Sequence, residues 1–297
     1  MVSSLQTQLQ NAHQIKAVLK QVHTTFKLLD GRSVETLLVY LPCFEDSKTS
    51  HDALFKCIKE SILQNFVFSY KEIQKKLGGT THTAMEDLFK KAIKKISAHT
   101  AKGELGELIL FTLLDVYIQA PKLLSKISMK TNPRMPVFGA DAVHGQFFGE
   151  KFRVYLGESK LHKNFKSAAT DATNSIFNAK NKFEDEFWLL DSYLDFPNLT
   201  PELEEKILKS LNPYSNCLSD KIHSPCFIGF TQPDIIFEDE KSFFQHYIKL
   251  SHNYIEDFFS KAEKQTLDIN EITLLMLPFG CVDELVDEFI TYMGITK

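Results

Sequence analysis

The spacing of apolar and polar positions changes period several times along the chain, and each change marks an element. From Phe138 to Lys163, FGADAVHGQFFGEKFRVYLGESKLHK, the period is two on either side of Gly149-Glu150. A two-residue loop with Gly first fits a hairpin turn. That turn sets the register: Phe148 faces Lys151, Phe147 faces Phe152, Val143 faces Leu156 and Asp141 faces Glu158. Side chains alternate between faces, so the last three pairs share one side, while Gln146/Arg153 and His144/Tyr155 share the other. One face is therefore apolar until its outer end, where two carboxylates stand opposite each other. Their Cβ atoms are expected about 4.5–5.5 Å apart, a repulsive arrangement unless positive charge lies between them. Lys160 returns to the same side two residues later.

The segments around the hairpin follow other periods. AKGELGELILFTLLDVYIQAPK, Ala101 to Lys122, has helical length and is apolar almost all round from Leu108, which predicts a buried helix. Glu104 and Glu107 project from neighbouring positions in its first turn. SKISMKT, Ser125 to Thr131, reads as a strand. A helix is expected from about Asn164, with Phe165, Ala168, Ala169, Ala172, Ile176, Ala179 and Phe183 on one stripe, and CFIGFT, Cys226 to Thr231, as a further strand. The predicted order is αβββαβ. Outside it, SVETLLVYLPCF (Ser33 to Phe44) and INEITLLMLPFG (Ile269 to Gly280) are continuous apolar runs, expected as buried strands of a shared second sheet. Phe243 to Phe259 is an aromatic-rich amphipathic helix, either core or a docking face for a partner. Gly78-Gly79-Thr80 signals a loop.

A carboxylate pair beside a lysine fits a divalent cation. Mg²⁺ prefers hard oxygen ligands, and takes one or two carboxylates while keeping waters and substrate phosphates. Asp141 and Glu158 supply such carboxylates, the Ser159 carbonyl a further oxygen, and Lys160 a charge to hold an attacking water or neutralise a phosphorane. The plainer alternative is an Asp-Glu-Lys ion cluster at a solvated sheet edge. For Glu104 and Glu107 the plainer reading is the preference of acids for a helix N-terminus.

KGELGE (Lys102 to Glu107), Asp141 and ESK (Glu158 to Lys160), set on an αβββαβ frame, resemble the PD-(D/E)XK nuclease superfamily. Ala140 stands where the Pro of that motif is expected. More narrowly, the GELGE, GAD and GESK blocks resemble the nuclease subunit of Hachiman-type anti-phage defence systems and the related Abp proteins. The resemblance implies an α/β (α+β) restriction-endonuclease-like core over residues 101–231. An N-terminal α/β elaboration would occupy 1–100, and a C-terminal helix-strand-helix elaboration 232–297. It implies a Mg²⁺-dependent DNA nuclease, with Mn²⁺ as a substitute, whose catalytic residues are Glu107, Asp141, Glu158 and Lys160. The first three would be the metal ligands. It also implies a helicase (ATPase) partner in antiviral defence. The alternative is a non-catalytic DNA-binding or scaffolding subunit that keeps a nuclease-like fold.

Composition narrows this picture. With 43% hydrophobic and 24% charged residues in 297, the chain is an ordinary globular protein. No apolar run reaches the ~18–20 residues of a membrane span, and the first twenty residues are too polar for a secretory signal, so a cytoplasmic location is expected. Cys43, Cys57, Cys217, Cys226 and Cys281 form no C-x-x-C pair and are expected as reduced packing residues. There is no G-x-x-x-x-G-K-[ST] run, so ATP-driven motion would come from another polypeptide. A net charge of −4 gives no global attraction for DNA, so phosphate contacts must be local. Lys102, Lys163 and Lys166 are the assigned candidates, with Lys160, His162, Lys180 and Lys182 nearby and a lysine run from Lys90 to Lys95.

Overall fold

The computed structural model describes residues 4–42, 47–77, 82–130, 132, 134, 139–214, 221–236 and 239–296. The strands are β1 (Lys20–Val22), β2 (Phe26–Lys27), β3 (Ser33–Tyr40), β4 (Ala142–Phe148), β5 (Lys151–His162), β6 (Ile222–Thr231) and β7 (Ile272–Phe279). The helices are α1 (Ala12–Val18), α2 (Ser47–Cys57), α3 (Leu63–Val67), α4 (Tyr70–Leu77), α5 (His82–Ile93) and α6 (Ala101–Val116) in the first part of the chain. After the hairpin come α7 (Phe165–Asn181), α8 (Phe183–Tyr193), α9 (Pro201–Leu211), α10 (Pro233–Ile236), α11 (Glu240–Lys264) and α12 (Val282–Met293).

The strands form one mixed sheet in the order β1-β3-β7-β6-β5-β4, with β2 paired to β3. β3, β7, β6 and β5 run parallel, and β4 returns antiparallel to β5. The two Leu-Pro runs are indeed neighbouring strands, β3 and β7, but they extend the sheet that holds the hairpin and do not build a second one. Parallel strands need cover on both faces. Here Leu37, Val39, Phe227, Leu275 and Leu277 enter a core with α6, while Leu38, Tyr40, Cys226, Ile228, Leu274 and Met276 enter another with α7 and α11. That two-sided burial is why β3, β6 and β7 read as continuous apolar runs.

The aromatic stripe of α11 belongs to the second core. Phe243, Tyr247, Phe258 and Phe259 are buried, and the Tyr247 hydroxyl donates to the Met276 carbonyl at 2.9 Å. Packing in the core is thus the role these aromatic side chains take. The hairpin keeps the expected register, from Phe148↔Lys151 to Ala142↔Gly157, and Gly149 takes the positive φ of 62° that its turn requires.

The strand expected at Ser125–Thr131 does not form. Lys126–Met129 is a 3₁₀ turn. Polar side chains explain this: Ser125 Oγ donates to the Phe66 carbonyl at 2.6 Å and Ser128 Oγ to the Ser125 carbonyl at 2.6 Å, bonds that an extended ladder would break. A remnant lies slightly upstream, where Lys122 forms an isolated antiparallel bridge with His144. Thr131, Phe138, Cys43, Phe44, Cys217 and the Gly78-Gly79-Thr80 loop lie outside the described residues. Cys57, Cys226 and Cys281 are free, the first two buried. No helix among the described residues is long and apolar enough to cross a membrane.

Candidate active site

The site is built where the hairpin ladder stops. The Asp141 N–H still donates to the Gly157 carbonyl at 2.9 Å. Beyond that point the side chain takes over from the backbone. Asp141 Oδ2 accepts the Ser159 N–H at 2.8 Å and the Ser159 hydroxyl at 3.0 Å. The carboxylate therefore lies against the end of the ladder and borders the space on both sides of β5.

On the α7 side lie Glu158 and Lys160, as strand alternation demands. Lys160 Nζ contacts Glu158 Oε1 directly. The cavity here is about 540 Å³, and Asp141, Glu158, Lys160, Ser175, Asn178 and Lys182 line it. α7 closes it because Asn164 caps the helix, accepting the Ser167 N–H at 3.0 Å, which starts the apolar stripe immediately after β5.

On the α6 side a smaller cavity of about 190 Å³ is lined by Glu104, Glu107, Lys126, Lys130 and Asp141. α6 approaches β5 closely because Gly106 lies against Ser159; a Cβ there would stand 3.3 Å from Ser159 Oγ. The two helix acids differ sharply. Glu104 is buried, its Oε1 2.6 Å from Lys130 Nζ and accepting the Thr100 hydroxyl at 2.9 Å. Glu107 is half-buried and faces the negative field of Asp141. Glu104 thus belongs to an ion pair, and Glu107 is the helix carboxylate that opens toward Asp141.

The carboxyl groups all titrate high. Burial, then the charges of Asp141 and Glu104, raise Glu107 well above the usual range. Burial raises Asp141 although Ser159 and Lys160 oppose it. Glu158 is pushed up to about 7 by burial and by Asp141, with Lys160 opposing. Burial would lower the Lys160 ammonium, but Glu158 and Asp141 outweigh it and hold the group above the ordinary lysine range. Three acids and a firmly charged lysine share one locality. Among the described residues, no group of three or more His, Cys, Asp or Glu side chains is arranged to hold a metal ion. Asp141 and Glu158 do supply two carboxylates to the wall of one cavity, and carboxylate oxygen is the ligand type that Mg²⁺ takes together with waters.

The lysines assigned to DNA phosphates are distributed as follows. Lys102 and Lys163 both pair with Asp283 on the first turn of α12, at 3.2 and 2.7 Å. Lys166 is exposed on α7. Lys180 pairs with Glu271, and Lys95 donates to the carbonyls of Ser128 and Lys130. His162 Nδ1 lies 3.0 Å from the Asn164 N–H, a local turn contact. His144 faces away from Glu158, as the register requires; its Nδ1 is 2.7 Å from the Ala120 carbonyl, and burial lowers its pKa to about 3.

Sequence reasoning missed the Ser159 side chain, Ser175 on α7 and a buried pair, Lys126–Glu186, at 2.6 Å. The one signal for the pair was a lysine inside the apolar run LLSKISM. No curated protein matches the chain. The HamA family model matches residues 16–293, across α6, the hairpin, α7 and both terminal segments of the sheet. The chain belongs to the HamA family, and with it to the Hachiman anti-phage defence system that its GELGE, GAD and GESK blocks resemble.

Proposed function

We propose that this protein is the Mg²⁺-dependent deoxyribonuclease of its defence system, with a PD-(D/E)XK-type site. The observation that carries this reading is that Asp141 and Glu158, just beyond the last ladder pair Ala142↔Gly157, line one cavity with Lys160, whose ammonium lies against Glu158. The succession of α6, β4, β5, α7 and, after α8 and α9, β6 is compatible with that superfamily's core less one strand.

Asp141 and Glu158 would hold the ion, and Glu107 completes the acidic wall on the α6 side. When bound, the cation supplies Lewis-acid activation of water and charge for the scissile phosphate. Lys160 supplies positive charge from an ammonium that lies against Glu158. It orients the attacking water or balances negative charge as the phosphorane forms. Ser159 fixes Asp141 Oδ2 and leaves Asp141 free to rotate little. The larger cavity, with Asn178 and Lys182 beyond Lys160, is the side from which a phosphodiester enters. The α6 side is walled by the Glu104–Lys130 pair.

DNA and a helicase are the proposed partners, the helicase supplying the ATP-driven step that this chain has no P-loop to perform. Activity on intact duplex is expected to be low in the resting complex and released when the helicase consumes ATP on DNA. Cleavage is compared for the isolated chain, the complex, and the complex with DNA and ATP, each with wild type and Asp141→Asn/Glu158→Gln. Equal rates in all three states overturn the control. A double variant cutting at the wild-type rate overturns the nuclease reading and leaves the scaffold role.

A further inference from the structure

The residue before Asp141 is gripped from both sides of its backbone. Lys126, in the 3₁₀ turn after α6, donates from Nζ to the Ala140 carbonyl at 2.9 Å. Glu186, in the first turn of α8, accepts the Ala140 N–H on Oε1 at 2.7 Å. The same Oε1 lies 2.6 Å from Lys126 Nζ, closing a ring of contacts around one residue. Both side chains are buried, at 8% and 3% exposure, which makes this a desolvated ion pair.

Gly139 shows how tightly the ring is drawn. Its φ is +100°, and a Cβ there would stand 2.0 Å from Glu186 Oε1 and 2.6 Å from Lys126 Nζ. Only glycine allows the chain to enter the clamp at that angle. A buried ion pair is a poor source of stability by itself, because well-packed apolar side chains of similar volume do as well or better. Here the pair spends its hydrogen bonds on the N–H and the C=O of Ala140, and so fixes the backbone on either side of that residue. Ala140 is followed directly by Asp141, whose N–H is then held by Gly157 and whose carboxylate is held by Ser159. The clamp is the upstream anchor of that series.

We infer that Lys126 and Glu186 are positioning residues for Asp141: through the N–H and the carbonyl of Ala140 they set the backbone that aims its carboxylate. The functional consequence rests on Asp141 being a metal ligand, as proposed above; the geometric consequence does not. Neither residue lies in the GELGE, GAD or GESK blocks.

The test separates the two. In the full chain, Lys126→Met/Glu186→Met replaces the pair with apolar volume, and Glu186→Gln keeps an acceptor while removing the charge. Amide hydrogen exchange is followed without metal at Ser159, whose N–H is bonded to Asp141, and at Leu275 in β7 as a reference for global opening. Mn²⁺ binding is followed by calorimetry on the same samples. The double variant is expected to lose at least tenfold of the Ser159 protection with Leu275 unchanged, and to bind Mn²⁺ at least tenfold more weakly. Glu186→Gln should fall between it and wild type. Ser159 protection at the wild-type level in a folded variant overturns the clamp, and so does a parallel loss at Ser159 and Leu275. Should the double variant fail to fold, Glu186→Gln decides by the same criterion. If Ser159 loses protection selectively while wild type itself binds no Mn²⁺, the clamp stands and the metal reading falls.

Discussion

Asp141 and Ser159 meet through two hydrogen bonds on a single oxygen, the Ser159 N–H at 2.8 Å and its hydroxyl at 3.0 Å, both on Asp141 Oδ2. Ser159 is the middle residue of the ESK segment, flanked by Glu158 and Lys160. The residue that carries no charge in that tripeptide is therefore the one that ties the hairpin's two acids into one site. Ser159→Ala removes one bond of the two and leaves Asp141 with the backbone N–H. A hydrogen bond to a charged group contributes about 1.5–3 kcal/mol, and half of the pair survives. We expect a stability loss of about 1–2 kcal/mol in urea unfolding, and DNA cleavage reduced about tenfold but not abolished. Wild-type stability and cleavage together would show that the hydroxyl bond contributes nothing.

The raised carboxyls predict a pH dependence opposite to that of ordinary surface acids. In the folded chain Glu158 holds its proton up to about 7, whereas unfolded it releases the proton near the usual glutamate value of 4.5. Between those values the folded state binds more protons than the unfolded one, so stability falls as pH rises through that window. Glu107 and Asp141 are shifted in the same direction. The apparent loss from Glu158 alone is on the order of 3 kcal/mol. Thermal unfolding in EDTA should therefore show a lower Tm at pH 8 than at pH 5.5 from these groups, and Glu158→Gln should flatten that slope. Saturating Mn²⁺ should raise Tm most at pH 8, since it binds the ionised acids. A slope unchanged by Glu158→Gln would place the titration elsewhere.

The hairpin was legible because a Gly-Glu turn and strict alternation fix register, which the ladder keeps as far as Ala142↔Gly157; Asp141 and Glu158 stand just beyond it, where Asp141 bonds Ser159 instead of continuing the ladder. The α7 stripe was legible for the same reason at helical period. What failed was local: SKISM carries strand-like alternation, but its two serines bond to nearby carbonyls and Lys126 is drawn to Ala140 and Glu186. The Lys126–Glu186 pair spans sixty positions, so no spacing rule brings the two together. The expected second sheet failed because buried parallel strands look alike whether they extend one sheet or begin another.

Lys160 and Glu158 should separate stability from catalysis. Glu158→Ala removes a buried carboxylate that repels Asp141, so the fold should be unchanged or more stable at pH 8. Lys160→Ala leaves Glu158 buried without its contact and should cost about 1–3 kcal/mol at that pH. Both should abolish DNA cleavage. Paired urea melts and plasmid assays, with contaminating nuclease excluded, read this directly. Retained cleavage in both variants would remove the pair from the chemistry.

Asp283 holds the ammonium groups of Lys102 and Lys163 together, from a helix at the far end of the sequence. All three side chains are substantially exposed, so the pairs contribute little to the fold. Their effect falls on charge: a protein of net −4 can attract phosphate only through local excess, and Asp283 cancels part of it beside α6 and the end of β5. Asp283→Asn removes that negative charge while leaving a hydrogen-bonding amide. Duplex binding by the Asp283→Asn chain, measured in EDTA and on a Glu158→Gln background, should tighten severalfold at low salt. The slope of log K against log salt should steepen by about 1–2, as each freed lysine displaces one more counterion. Fluorescence anisotropy from 50 to 300 mM salt, with Glu284→Gln as a neighbouring control, decides it. Equal slopes for Asp283→Asn and wild type would mean that Lys102 and Lys163 do not reach the DNA.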